Sequence, residues 1–351
     1  MNVYDKFGLK EVINASGKMT ILGASTVGKN VIDSQNFGAS NFFEMEELSV
    51  KSGKYLAKLL HAEDAHIVSS ASAGIALCTA AISQGYKKEI LLPKGHNVDF
   101  GAPIEDIITL GGGIVKEVGY ANVCTAAHII EKITPLTAAV MYVVSHHCVQ
   151  KSMIKVEEAI HTAHENDLPI IIDCAASEDL FAYTELGADL VIYSGGKAIN
   201  GPGASGIVLG KSQYIDQLRK VQKGIGRAMK VGKDTILGLT TAIEEYLQTG
   251  PESGQSQKQR LRPFIDDINK ISGLSASIVQ DGAGRDIYRA SVRVDKGSAV
   301  KIALELRAKS PAIYTREYQA NNGILEFDIR AVDTRGLEKI VARLRDIMEV
   351  L

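Results

Sequence analysis

The sequence predicts an α/β protein, with a mainly parallel sheet covered by helices on both faces and a small C-terminal α+β domain. Two observations carry that prediction. Short, wholly apolar runs recur between residues 66 and 209 and alternate with stretches of helical spacing. That is the pattern of strands buried on both faces and joined by crossover helices. Beyond residue 250 the order changes to helix, strands, helix, strand and a last helix, which describes a separate and smaller layer.

In chain order, residues 12–17 (Val-Ile-Asn-Ala-Ser-Gly) are a short apolar stretch that turns, and residues 1–45 read as an N-terminal arm laid against the main body. Leu48, Leu56, Leu59 and Leu60 give 48–60 helical spacing. Strands are predicted at 66–69, 90–92, 114–118, 138–144, 170–173, 190–193 and 207–209. An Ala-rich helix follows the first of these, and further helices are predicted at 155–165, 214–222 and 234–248. Residues 249–254 (Thr-Gly-Pro-Glu-Ser-Gly) punctuate the chain, so the large domain is set at 46–250 and the small one at 251–351. In the last helix Leu337, Ile340, Val341, Leu344, Ile347 and Met348 share one face, the signature of a helix packed on a core.

Composition excludes several classes of function. With 39 Lys and Arg against 41 Asp and Glu, the chain lacks the basic footprint of a nucleic-acid binder. No apolar run reaches membrane-spanning length, and the N-terminus lacks the layout of a signal peptide. Cys78, Cys124, Cys148 and Cys174 are scattered, with no Cys-x-x-Cys pair, so reduced, buried thiols in a cytoplasmic protein are expected.

The chemistry is predicted at the ends of strands, where open parallel sheets collect their ligands. Ser194-Gly195-Gly196-Lys197 closes an apolar strand. A lysine there is costly to desolvate unless its amine has a task, and a Schiff base with pyridoxal 5'-phosphate is such a task. Asp173 closes the preceding strand, where a carboxylate opposite a pyridine nitrogen would hold that nitrogen protonated; the plain alternative is a helix N-cap. Ala175 would present a small face to the ring. Ser70-Ala71-Ser72 opens the Ala-rich helix and would offer amides and hydroxyls to a phosphate, with an ordinary serine cap as the alternative. Ser194 would add a further hydroxyl to that phosphate. His96, after another strand, could stack on the cofactor, with a solvated loop histidine as the alternative; of His146 and His147, at the end of strand 138–144, one is expected to face the same pocket and the other to be structural, and His146 is taken as the substrate-side candidate. Adjacent histidines at 146 and 147 point to opposite sides of an extended chain, so no metal site is expected.

Two look-alike motifs fail on context. Gly201-Pro202-Gly203-Ala204-Ser205-Gly206 spells a dinucleotide fingerprint but leads into a strand rather than a helix. Ser194-x-x-Lys197 spells the motif of penicillin-recognising acyl-enzymes, yet the companion Ser-Asp-Asn and Lys-Thr-Gly are missing.

The order of phosphate cup, strand-end Asp and strand-end Lys resembles a fold-type I PLP-dependent transferase. Val12-Ile13-Asn14-Ala15-Ser16-Gly17, Ala62-Glu63-Asp64-Ala65, the lysine turn with Gly201-Pro202, Arg227 to Lys233 and Leu325 to Arg330 together resemble the bacterial selenocysteine synthase group of those enzymes. Residues 95–103 and 314–318 are similar to a branch of ammonia-lyases acting on a phosphorylated amino sugar acid. The resemblance implies an ammonia-releasing elimination with Lys197 and Asp173 as catalytic residues. Arg227, Lys233, Arg316 and Arg330 are then candidates for the substrate's carboxylate and phosphate, with surface salt bridging as the alternative for each. It also implies a homodimer or higher homo-oligomer. The readings set beside it are a seryl-tRNA-converting enzyme and another PLP β-lyase. Against the tRNA role stand the acidic balance, the start of this chain almost at the Val-Ile-Asn motif, and Gly196 where that group has Asp.

Overall fold

The structure is a computed structural model that describes every residue except Met1, Phe100, His146, Gln150, Ala283 and Leu351. Its strands, in chain order, are β1 (Val12–Ala15), β2 (Asp64–Val68), β3 (Glu89–Pro93), β4 (Ile114–Val118), β5 (Thr137–Val143), β6 (Ile170–Asp173), β7 (Leu190–Ser194), β8 (Gly206–Gly210), β9 (Leu274–Gln280), β10 (Tyr288–Val294), β11 (Ala312–Thr315) and β12 (Ile324–Phe327). The chain divides into a larger unit, Ala24–Gly250, and a smaller one made of Met1–Gly23 and Pro251–Leu351.

The larger unit holds a seven-stranded sheet in the order β2-β8-β7-β6-β5-β3-β4. Pairings from β7 through β4 are parallel, and β8 alone runs against both its neighbours. Successive side chains of a strand point to opposite faces, so a run such as Ile170-Ile171-Ile172 supplies two cores at once. Ile170, Ile172, Val191 and Tyr193 pack with Leu56, Ile160 and Leu239 on one face. Ile171, Leu190 and Ile192 pack with Ile75, Ile108 and Leu218 on the other. This explains why the central strands β6 and β7 are apolar along their length rather than alternating. All four cysteines are buried in these layers and none forms a disulfide; burial pushes the thiol of Cys148 up to about 12 and that of Cys124 to about 11.

The smaller unit has an antiparallel sheet, β12-β10-β9, and a parallel pair, β1-β11, with helices Gly254–Ile268, Ala299–Ala308 and Thr334–Val350. Ile340, Val341, Leu344, Ile347 and Met348 of the last helix are buried in its core with Phe264 and Phe327. The segment 1–45 does not stand as one arm. Val12–Ala15 pairs in register with Ala312–Thr315, some three hundred residues away, whereas the helix Lys29–Ser40 belongs to the larger unit. A short strand whose partner is that distant leaves no local periodicity to read.

Candidate active site

The parallel arrangement brings the carboxyl ends of β2, β3, β5, β6 and β7 to one edge of the sheet. Because β8 is antiparallel, its first residue meets that same edge, with Gly206 opposite both Val68 and Ser194. Three loops therefore converge: the helix start after β2, the turn after β6 and the lysine turn after β7.

The helix Ala71–Ile82 begins at Ser70, whose Oγ accepts a hydrogen bond from the Ala73 amide at 2.9 Å. The serine is thus the cap of that helix. Its first-turn amides, at Ala71 and Ser72, lie beyond the reach of intrahelical acceptors, and residues 70–72 are half-buried. Such a helix start holds an anion through its N–H groups and its dipole. The backbone of β8 runs hard against it: a Cβ on Gly206 would stand 2.9 Å from the Ser70 carbonyl carbon and 3.0 Å from the Ala71 nitrogen. Glycine inside a strand marks such an approach of a second backbone, a signal that sequence reading passed over.

Asp173 is only 8% exposed. Burial pushes its carboxyl up to about 6, while the charge of Lys197 and the amide of Ala175, 3.3 Å from Oδ1, work the other way. One long hydrogen bond is little for a buried carboxylate, so the site favours a cation or proton donor beside Asp173. Ser194 donates its amide to the Ala175 carbonyl at 3.2 Å, tying the turn after β6 to the end of β7. Lys197 is half-buried three residues further on.

His96 follows β3 and is deeply buried. It is 1% exposed, its Nδ1 accepts from the Val143 amide at 3.4 Å, and it meets Tyr142 edge-on with ring centres 4.4 Å apart. Burial lowers its pKa to about 4, so the imidazole is neutral and, with Nδ1 accepting, its proton sits on Nε2. His146 lies outside the described residues.

The four cationic candidates differ in what already holds them. In the larger unit, Lys233 donates to the carbonyls of Ala39, at 3.3 Å, and Asn41, and lies over the Phe42 ring at 5.2 Å. Its amine ties two helix ends together. Arg227, on a short 3-10 turn, is exposed. In the smaller unit, Arg330 grips Asp328 through Nε at 3.0 Å and Nη2 at 2.9 Å. Burial works to raise the carboxyl of Asp328, but Arg330 and the buried Arg289 hold it below the usual range. Arg316 is held loosely, with Nη1 3.4 Å from the Ser16 carbonyl and Nε 3.6 Å from Glu326 but without a hydrogen bond. Burial and the repulsion of Arg289 lower its pKa, while Tyr318, Asp328 and Glu326 work the other way. Arg289 and Glu326, absent from the sequence-level candidates, complete this cluster.

The residues at the sheet edge fit pyridoxal phosphate by the chemistry of their donors. Amides at a helix start suit its phosphate, the buried carboxylate suits its ring nitrogen, and the lysine suits its aldehyde.

Comparison with known proteins agrees. Residues 12–299 match the family described as SelA: L-seryl-tRNA selenium transferase. The D-glucosaminate-6-phosphate ammonia lyase of Salmonella typhimurium (strain 14028s / SGSC 2262) is 42% identical over 99% of this chain and 98% of its own length. The 5'-C-glycyluridine monooxygenase-decarboxylase of a Streptomyces species is 36% identical over 98% of this chain and 92% of its own. The L-seryl-tRNA(Sec) selenium transferase of Aquifex aeolicus (strain VF5) is 27% identical, and the match covers 98% of this chain and 86% of that protein. A solved structure of D-glucosaminate-6-phosphate ammonia-lyase superposes with a TM-score of 0.93 at 41% identity, covering 100% of this chain and 99% of that one. A NifS-like protein, at a TM-score of 0.62 and 14% identity, shares the fold alone. Among the described residues no helix is long and apolar enough to cross a membrane. The chain belongs to the L-seryl-tRNA selenium transferase family and is a fold-type I enzyme whose cofactor is pyridoxal phosphate.

Proposed function

We propose that this enzyme is a D-glucosaminate-6-phosphate ammonia-lyase, converting 2-amino-2-deoxy-D-gluconate 6-phosphate to 2-keto-3-deoxy-6-phosphogluconate and ammonia. The observation that carries the reading is the end-to-end match to a relative of that name, at 42% identity with 98% of the relative covered. The seryl-tRNA reading has less support, since the selenium transferases are 27% identical or close to it and extend beyond the matched region. The 36% match to a monooxygenase-decarboxylase favours a second reading, in which the same cofactor site serves other chemistry.

Pyridoxal phosphate, when bound, supplies the electron sink that acidifies the C2 proton of an amino acid. The chain's own residues do the rest. The first-turn amides of Ala71 and Ser72, with the hydroxyls of Ser70, Ser72 and Ser194, hold the phosphate. Asp173 keeps a proton on the ring nitrogen, since an adjacent buried carboxylate favours the cationic form. Ala175 leaves room for the ring beside that carboxylate. His96 walls the cofactor pocket as a neutral ring, and His146 is assigned to the substrate side. Lys197 Nζ takes the C2 proton as general base and returns it to the hydroxyl departing from C3. The water lost there is regained when ammonia is released, so the net change is loss of ammonia alone. Arg316 and Arg227 are the favoured partners of the substrate's two anionic groups, because Lys233 and Arg330 are already engaged within the chain.

A homo-oligomer is part of the reading. Ile32, Phe37, Phe42 and Met45 are exposed in and just after the helix Lys29–Ser40, and a patch of that kind suits a second copy. Four buried cysteines without a disulfide suit a cytoplasmic setting.

The test is ammonia release from the amino sugar acid phosphate by purified, yellow protein, with Lys197→Ala as control. That variant is expected to be colourless and to incorporate no borohydride-fixed cofactor. No ammonia from this compound, together with turnover of a different amino acid, rejects the assignment in favour of the second reading.

A further inference from the structure

The lysine turn is held from two sides within the larger unit. On the interior side, Gly195 lies so close to Ser205 that a Cβ would stand 2.0 Å from its Oγ. The Gly195 amide donates to the Ser205 carbonyl at 2.9 Å, and the Gly201 amide donates to the Gly195 carbonyl at 2.8 Å. Ser205, fully buried, donates its hydroxyl to the Pro202 carbonyl at 2.5 Å.

On the opposite side runs the segment 24–26. Ser25 Oγ donates to the Gly196 carbonyl at 2.6 Å. Asn200 Nδ2 donates to the Thr26 carbonyl at 3.3 Å. Ala24 packs over Gly196, where a Cβ would lie 3.3 Å from the alanine's own. Ala24 and Asn200 both adopt left-handed backbone, with φ of 64° and 61°. That conformation is disfavoured for residues carrying a Cβ, and alanine gains no side-chain hydrogen bond from it. The surroundings therefore dictate the path of this segment.

The Gly196 carbonyl and the Lys197 amide belong to one peptide plane. From its own side the Lys197 amide makes a long hydrogen bond, 3.5 Å, to the Ser194 carbonyl. The bond from Ser25 is much the shorter of these two hydrogen bonds. We propose that Ser25 is a positioning residue for Lys197: its hydroxyl fixes the Gly196–Lys197 peptide and, through it, the direction from which Nζ reaches cofactor and substrate. The inference rests on the assignment of Lys197 as the cofactor lysine.

The test compares holoenzymes carrying Ser25→Ala and Ser25→Thr with the unaltered protein. In Ser25→Ala the pH midpoint of the visible band of the lysine-linked cofactor is expected to move by about half a unit or more. Its kcat is expected to fall about tenfold with KM little changed, because misdirecting a reacting group costs rate rather than uniform binding. Ser25→Thr, which keeps the hydroxyl, should restore both. If Ser25→Ala does not fold, Asn200→Gly releases the same segment from its other end without disturbing φ, and a smaller shift of the midpoint with a smaller fall in kcat is expected. The proposal is overturned if the variant that folds keeps its band midpoint and a kcat within about twofold of the unaltered protein, even if its melting point has dropped; a loss of stability alone would make Ser25 a mere tether. A Lys197→Ala protein that stays yellow and is fixed by borohydride would instead remove the lysine assignment itself.

Discussion

Asp173 and Lys197, at the ends of neighbouring parallel strands, interact electrostatically. Burial lifts the carboxyl of Asp173 from 3.8 to about 6, and the positive charge of Lys197 opposes that rise. In the cofactor-free protein the native state therefore holds a proton on Asp173 over a range where the unfolded chain has lost it. This contribution to stability is fully present below the ordinary value of 3.8 and is lost as pH rises through about 6. The apo-protein should lose up to about 3 kcal/mol from this group between those limits. Asp173→Asn should lack that slope. Urea unfolding of both apo-proteins at several pH values checks it, and parallel curves would show that Asp173 is not the buried acid responsible.

Gly206 sets how closely β8 passes the helix that opens at Ser70. Gly206→Ala would force a methyl group to within 2.9 Å of the Ser70 carbonyl carbon and of the Tyr193 carbonyl oxygen, both backbone atoms with little room to yield. Overpacking of that kind costs about 1–3 kcal/mol. Part of the displacement should fall on the amides proposed for the phosphate. Titration of the apo-variant with cofactor, followed by its visible band, should show affinity weakened by about tenfold or more. An unchanged affinity would place the phosphate elsewhere.

The sequence exposes what depends on local pattern. The run 170–173 was readable as a buried strand because both of its faces are apolar, and Asp173 stood out as the one charge closing it. Lys197 was readable for the same reason one strand later. The helix Lys29–Ser40 was not, because only Val31 and Gly38 in it are buried and its remaining residues give no apolar stripe. Ser25, Arg289 and Glu326 were hidden differently. Each matters through a partner 37 to 171 residues away, such as Ser25 through Gly196 and Arg289 through Asp328, and such pairings have no periodicity. The direction of β8 also needed the structure, since a short apolar run reads alike in either sense.

Lys233 is expected to serve stability rather than substrate. Its amine is occupied by the Ala39 and Asn41 carbonyls, which close the helix Lys29–Ser40 against the start of the helix Lys233–Thr249. Lys233→Met should lower unfolding free energy by about 1 kcal/mol and leave KM within about twofold. Chemical denaturation and steady-state kinetics on one preparation separate the two roles. A KM raised tenfold at unaltered stability would return Lys233 to the substrate site.

Arg316 and Arg330 should separate in the opposite way from what their similar chemistry suggests. Arg330 is spent on Asp328, a carboxylate 1% exposed, and removing one partner of a buried pair leaves an uncompensated charge. Arg289 remains 3.5 Å from that carboxylate and softens the loss. Arg330→Ala is therefore expected to destabilise the protein by about 3 kcal/mol, with KM changed less than stability. Arg316 stands beside Arg289 with an Nε that makes no hydrogen bond and the Glu326 carboxylate 3.6 Å away, so its guanidinium keeps a donor for an arriving anion. Arg316→Ala should raise KM for the phosphorylated amino sugar acid by roughly 10- to 100-fold while stability holds or improves, because hydrogen bonds between charged groups are worth about 1.5–3 kcal/mol. Arg316→Lys should recover little, since a single ammonium does not reproduce the planar fork of a guanidinium. Thermal melts with steady-state kinetics on the three variants check the contrast. If Arg316→Ala binds substrate normally and unfolds easily, the arginine is a structural member of the cluster and the anion is held elsewhere.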